Sequence, residues 1–322
     1  MRRFVILIVV VVVVIAGWSG AWLWAAGQIG SVQRQLATAD GIATPRVTCQ
    51  SFAVGGFPFG FDLTCSGATV TSGDVTVTAA GLKASVEVYN PTHVLAFAEA
   101  PVGVSDAFTG SQSRLDFASA TASARLTGWR IARISVVLEQ PAWNDTVLDD
   151  RLIAKASHVE AHLVDAPEKH DGAKGLAALD AFAQLDGLDA PAYGIANGKG
   201  TLDAEIANLP DDVRTYGDAD LPKRWQAAGG TLTLSGFKGE DGARNFTVTG
   251  NASLDSTGRP QGQVRMVSTG VVEALGTTIP EQLKGVLIGA QAADGSYSQT
   301  LNIAGGMVFA GLVPVAMLEP LF

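Results

Sequence analysis

The chain has 322 residues, with 37 Gly, 7% aromatic and only 16% charged residues, and a net charge of −9. That length can bury a sizeable core in one large β domain or in two smaller ones. No basic patch with interleaved aromatics accompanies the acidic balance, which argues against nucleic acid as a partner and against tight adsorption to an anionic bilayer surface.

Arg2 and Arg3 precede an uncharged run from Phe4 to Ala26, and the next charge is Arg34. At about 1.5 Å per residue this run is long enough to cross a bilayer as a helix. Without those two arginines the rest of the chain carries −11. Positive charge ahead of the segment, and none close behind it, predicts a single pass with the N-terminus cytoplasmic and the body outside. Trp18, Trp22 and Trp24 gather toward the far end, at the level of an interfacial aromatic belt. Small residues at Ala21 and Ala25-Ala26 also permit a cleaved signal peptide. The long apolar run and the bulky Trp22 and Trp24 favour a retained anchor over residues 1–29, and both readings export the body. Residues 30–45, polar and mildly helical over Gly30 to Asp40, read as a spacer.

The next stretch, Arg46 to Gly67, is RVTCQSFAVGGFPFGFDLTCSG. Cys49 and Cys65 bracket the core Gly56-Phe57-Pro58-Phe59-Gly60-Phe61, and both arms are β-prone. Paired as an antiparallel hairpin about Phe57 and Pro58, the arms place Cys49 opposite Cys65. Pro58 fixes φ, and Gly55, Gly56 and Gly60 permit the positive φ of a tight reversal. A disulfide there requires an oxidising compartment; the alternative is two unrelated buried thiols. Phe57, Phe59 and Phe61 alternate, and either plug a core or form an exposed apolar knob against membrane or partner.

From Ala68 the pattern turns to period two, as in Val75, Val77 and Ala79 and then Val86 and Val88. With Asn90-Pro91 and Gly128-Trp129 as turns, this predicts an antiparallel meander that fills residues 46–165. Arg151 to Val164 is a further strand-like run. Residues 166–322 read as a second β-rich half with short helices. GLAALDAFAQLDGL carries Leu176, Leu179 and Phe182 at helical spacing, with Gly187 as a stop, and predicts a helix. A second helix is expected over Lys223 to Ala227 and a third within Gly270 to Gly285. TLTLSGFKG, NFTVTGNASLD and QGQVRMVST predict strands, and SQTLNIAGGMVFAGLVPVAMLEPLF two strands and an apolar tail.

Few residues suggest chemistry. His158, Glu160 and His162 share one face of a strand and form a reasonable, weak zinc set, with His170 beyond. Alternating polar residues on the wet face of a sheet explain them equally well. Asp149-Asp150 and Asp211-Asp212 read as caps or turns. No nucleophile elbow, phosphate loop or dinucleotide fingerprint is present, so the sequence implies no catalytic residue and no cofactor.

Gly56-Phe-Pro-Phe-Gly-Phe-Asp-Leu with its flanking cysteines, the anchor ahead of it, Val88-Tyr89-Asn90-Pro91-Thr92-His93 and the C-terminal NIAGGMVFAGLVPVAMLEPLF resemble the bacterial family called domain of unknown function 2125. More distantly, the layout resembles anchored periplasmic proteins of the AsmA kind, which implies a long sheet around an apolar groove and a role in lipid handling. The expectation is a mostly β (α+β) protein: a transmembrane helix, then an extended, curved antiparallel sheet with a few covering helices. It would be anchored in the bacterial inner membrane with a periplasmic body that binds lipid or another hydrophobic ligand. The alternative is an assembly factor for another envelope protein; an enzyme is the reading with least support.

Overall fold

The computed structural model describes residues 2–271 and 288–322. The helix expected within Gly270 to Gly285 lies almost wholly outside the described residues. In chain order the elements are α1 (Arg2–Ala37), β1 (Arg46–Thr48), β2 (Ser51–Gly55), β3 (Gly60–Ser72), β4 (Val75–Glu87), β5 (Asn90–Asp106), β6 (Gln112–Asp116), β7 (Ser119–Thr127), β8 (Arg130–Glu139), β9 (Ala142–Asp145) and β10 (Arg151–Lys155). Then come β11 (His158–Asp165), β12 (Leu176–Ala190), β13 (Ile195–Pro210), α2 (Leu221–Ala227), β14 (Thr231–Asp241), β15 (Arg244–Leu254), β16 (Pro260–Thr269), β17 (Ala290–Gln291), β18 (Tyr297–Ala304), β19 (Met307–Ala310) and β20 (Val313–Met317). The protein is mostly β, with antiparallel pairing and one long N-terminal apolar helix. The chain forms two compact units, one of Met1–Ser123 with Ala142–Leu152, the other of Ala124–Pro141 with Ile153–Phe322.

In the first unit α1 runs 36 residues, about 54 Å at helical rise, and so continues through the first half of the expected spacer. It is long and apolar enough to cross a membrane. Its last turns bury Trp22 and half-bury one face, at Ala25-Ala26, Ile29-Gly30, Gln33 and Leu36-Ala37, which lies against β1 and β2. That spacing of three to four residues is the helical period. β3 is the centre of a meander: β1 and β2 lie on one side, β4 on the other, and β5, β6 and β9 come after them.

The hairpin register differs from the sequence expectation by three positions. Cys65 faces Phe52, and Thr69 faces Thr48. Cys49 sits between β1 and β2, and its disulfide to Cys65 runs diagonally with Cα atoms 5.3 Å apart. The register is the same on both sides of Gly67, which at φ +57° lies under the Gln50 side chain where a Cβ would collide. Around the disulfide, Ala68 and Ala79 are buried with Phe52, Leu82 and Val102 packed on them.

In the second unit β11 pairs with β8 and β12, and β12 to β16 continue as neighbours, with β18 beyond β16. The helix expected over residues 175–188 is β12, a strand with a partner on each side. Three register shifts, at Ala177/Leu179, Leu185/Leu188 and Leu188/Ala190, break its period-two alternation. Leu179 and Phe182 lie in an unshifted stretch between them and so point to opposite faces of the strand. Their helical spacing therefore marks no common face, and the backbone groups are satisfied by two ladders. Gly187 stops no helix; it sits at one of these bulges with φ +65°. The apolar tail is also partly a strand, since β20 pairs with β19. The second helix stands as expected, α2 opening with Pro222 in its first turn.

Among the described residues fifteen apolar ones are buried, and eight of these are alanine. Large apolar side chains therefore remain partly exposed on the sheet faces.

Candidate functional site

One row of register partners crosses five strands of the second unit. Val159 on β11 faces Leu185 on β12, which faces Gly200 on β13, which faces Gly239 on β14, which faces Phe246 on β15. Directly opposed residues in an antiparallel sheet point to the same face. Two glycines at the centre of a row otherwise apolar therefore leave a depression. The next row, Ala183, Leu202 and Phe237, deepens it. The result is a cavity of about 470 Å³ bounded also by Leu188, Tyr193, Ile195 and Val271. This lies within the ~300–1,000 Å³ of small-molecule sites. Phe237 and Phe246 meet edge to face with centroids 5.1 Å apart and form one wall. Gly239 is required there, because a Cβ would run into the Phe246 ring. Gly200 has room, its nearest atom being the Lys238 carbonyl oxygen at 3.6 Å. Lys199, Lys238, Arg244, Glu240 and Asp241 add charges of both signs. Arg244 pairs with Asp241 and also donates to the Gly194 carbonyl.

The opposite side-chain phase of β11 carries His158, Glu160 and His162. His158 Nδ1 lies 2.9 Å from Glu139 of β8, and Glu160 lies 3.6 and 3.4 Å from the two histidine Nε2 atoms. His162 meets Ser135 at 2.8 Å and stacks on Phe182. His170 is held elsewhere, between Asp165 at 2.7 Å and Arg130 at 3.2 Å. The hydrogen bond that His158 donates to the Glu139 carboxylate raises the His158 pKa above its usual 6.5, against a smaller opposing effect of burial. Among the described residues no set of three His, Cys, Asp or Glu is arranged to hold a metal. The row is the polar side of a strand whose other side lines the cavity.

A second cluster lies in the first unit. Trp22 stacks on Phe61, with centroids 5.4 Å apart and planes within 6°, and meets Phe57 edge to face at 5.5 Å. Its indole N–H donates to the Gly60 carbonyl, and that of Trp18 to the Pro58 carbonyl, each at 2.9 Å. The hairpin motif is thus docked on α1. Phe61 is inside the junction, while Phe57 and Phe59 remain 54% and 65% exposed. Of the three tryptophans, Trp24 alone makes no part of the junction and is exposed. Gly56, at φ +92°, is pressed so close to Gly60 that no side chain fits.

The paired carboxylates are structural. Asp150 binds Arg114 at 2.6 Å, and Asp212 caps a short 3-10 turn through the Arg214 N–H. Sequence reasoning missed the cavity residues Leu185, Gly200, Leu202, Phe237, Gly239 and Phe246. Their strands were legible for β13 to β15, but their meeting in one row depends on register.

No curated protein and no solved structure matches the chain, and the distant likeness to AsmA-like proteins gains no support from these comparisons. One family model does match, over residues 22–319, described as an uncharacterized protein conserved in bacteria. A match over nearly the whole chain after the apolar run means that this protein belongs to the DUF2125 family.

Proposed function

We propose that the protein is a membrane-anchored binder of lipid acyl chains or a similar hydrophobic ligand in the bacterial envelope. The observation that carries this reading is the apolar cavity built from five adjacent strands around Gly200 and Gly239. Apolar walls and acyl chains both gain from leaving water, by about 25 cal/mol per Å² buried. The mixed charges beside the cavity select no headgroup, so the ligand class is defined by its chain. Arg2 and Arg3, ahead of the apolar run of α1, support an inner-membrane anchor with a cytoplasmic N-terminus. The Cys49–Cys65 disulfide supports an oxidising, periplasmic location for the body.

The test is native mass spectrometry of the full chain after release from detergent micelles, compared with Gly200→Leu. The new side chain enters the cavity from a position with room for it. One lipid per chain, lost in Gly200→Leu while the circular dichroism is unchanged, is the expected result. A lipid retained equally by the variant belongs to the anchor, and a lipid-free chain points to a protein partner; either outcome rejects the reading.

A further inference from the structure

The hairpin motif reaches back along the anchor. α1 ends at Ala37, β1 starts at Arg46, and β2 then returns along the helix until Pro58 meets Trp18 and Gly60 meets Trp22. About 20 apolar residues span the hydrocarbon layer. Counted from Phe4, that distance ends near Leu23, so Trp22 lies at the edge of the hydrocarbon layer and Trp18 about one turn inside it. We propose that the tip, Phe57 to Phe59, is a second membrane contact that seats in the interfacial layer beside α1. This rests on α1 crossing the membrane and is independent of the cavity.

Two features of the tip fit that environment. Its apolar side chains face outward: Phe57 and Phe59 are largely exposed, and so is Tyr89, whose neighbour Val88 donates its N–H to the Phe59 carbonyl. Its backbone is largely self-satisfied. Pro58 has no N–H, and its carbonyl accepts from Trp18; the Gly60 N–H donates to the Gly56 carbonyl, and the Gly60 carbonyl accepts from Trp22. Backbone groups paired in this way can leave bulk water at little cost. Tyr89 and Trp18, aromatic rings with polar edges, are side chains of the kind that favours the headgroup level. Glu87, which faces Gly60 in the ladder, limits the depth to the boundary of the hydrocarbon. The tip and α1 together then hold the first unit at a fixed height and orientation.

The experiment uses the full oxidised chain in vesicles of phosphatidylethanolamine and phosphatidylglycerol. Nitroxide labels are placed one at a time at Val10→Cys, Phe59→Cys and Ser111→Cys. Accessibility to oxygen, which concentrates in lipid, is compared with accessibility to a water-soluble nickel chelate. Expected is oxygen dominance at positions 10 and 59 and chelate dominance at 111. Position 10 in lipid with position 59 open to the chelate overturns the tip contact alone; both open to the chelate overturns the anchor as well. A second measurement replaces Phe59 by p-benzoylphenylalanine, which keeps an aromatic side chain, and crosslinks in native membranes. Phospholipid adducts are the expected product, and adducts to another protein in their place reject the proposal.

Discussion

Cys49 and Cys65 close a loop across the irregular joint between β1 and β2, at the small buried cluster of Ala68 and Ala79. With a sequence separation of 16, the loop-entropy model assigns about 3 kcal/mol to the crosslink. Cys49→Ala with Cys65→Ala should lower the unfolding free energy of the first unit by roughly that amount, read from denaturant melts of both forms. An unchanged midpoint would show that the hairpin persists without it. His158 makes a prediction of the opposite pH sense to a buried carboxylate. Its pKa is raised in the folded state by Glu139, so its contribution is complete below about 6.5 and fades as pH rises through the folded value. Stability of wild type relative to His158→Gln should therefore be greatest in mild acid and converge in alkali. A gap independent of pH would remove His158 from the account.

At the scale of elements, the junction of α1 with the β2–β3 hairpin centres on Trp22, with Trp18 beside it. Trp22 is buried between Phe57 and Phe61 and donates to Gly60. Trp22→Ala should cost about 3–5 kcal/mol where the junction is intact, as large-to-small core changes do. Trp22→Phe, which keeps a ring and loses the hydrogen bond, should cost nearer ~1 kcal/mol. Hydrogen exchange at residues 55–61 is the measurement; equal protection in both variants would mean that the hairpin stands without the helix. β12 offers the complementary lesson. Leu176, Leu179 and Phe182 fall at helical spacing in the sequence, yet Leu179 and Phe182 point to opposite faces of a strand whose backbone is paired by ladders on both sides. Propensity and spacing are local quantities, and a strand bordered on both sides answers to its neighbours.

For the whole molecule, the buried set among the described residues is small and rich in alanine, while larger apolar side chains line the sheet faces. A ligand that fills the cavity should therefore stabilise the fold by mass action, about 2.7 kcal/mol at a hundred times its dissociation constant. The unfolding temperature of the purified chain should rise as a long-chain fatty acid is titrated, and Gly200→Leu should flatten that rise. Equal shifts in both would place the ligand outside the cavity.

The sequence by itself determined the apolar helix, the β-rich character of the body beyond it, the partnership of Cys49 with Cys65 and the family. Each is written in contiguous residues: an uncharged run, period-two alternation, or a short motif with its flanking cysteines. Tertiary structure alone decided that Cys65 faces Phe52, that residues 176–190 form a strand, that Trp18 and Trp22 clasp the hairpin, and that Gly200 and Gly239 stand side by side. The physical reason is register. Alternation shows which residues share a face of one strand, but a cavity is made by residues on different strands, and their alignment is set by bulges, turns and packing summed over the whole sheet.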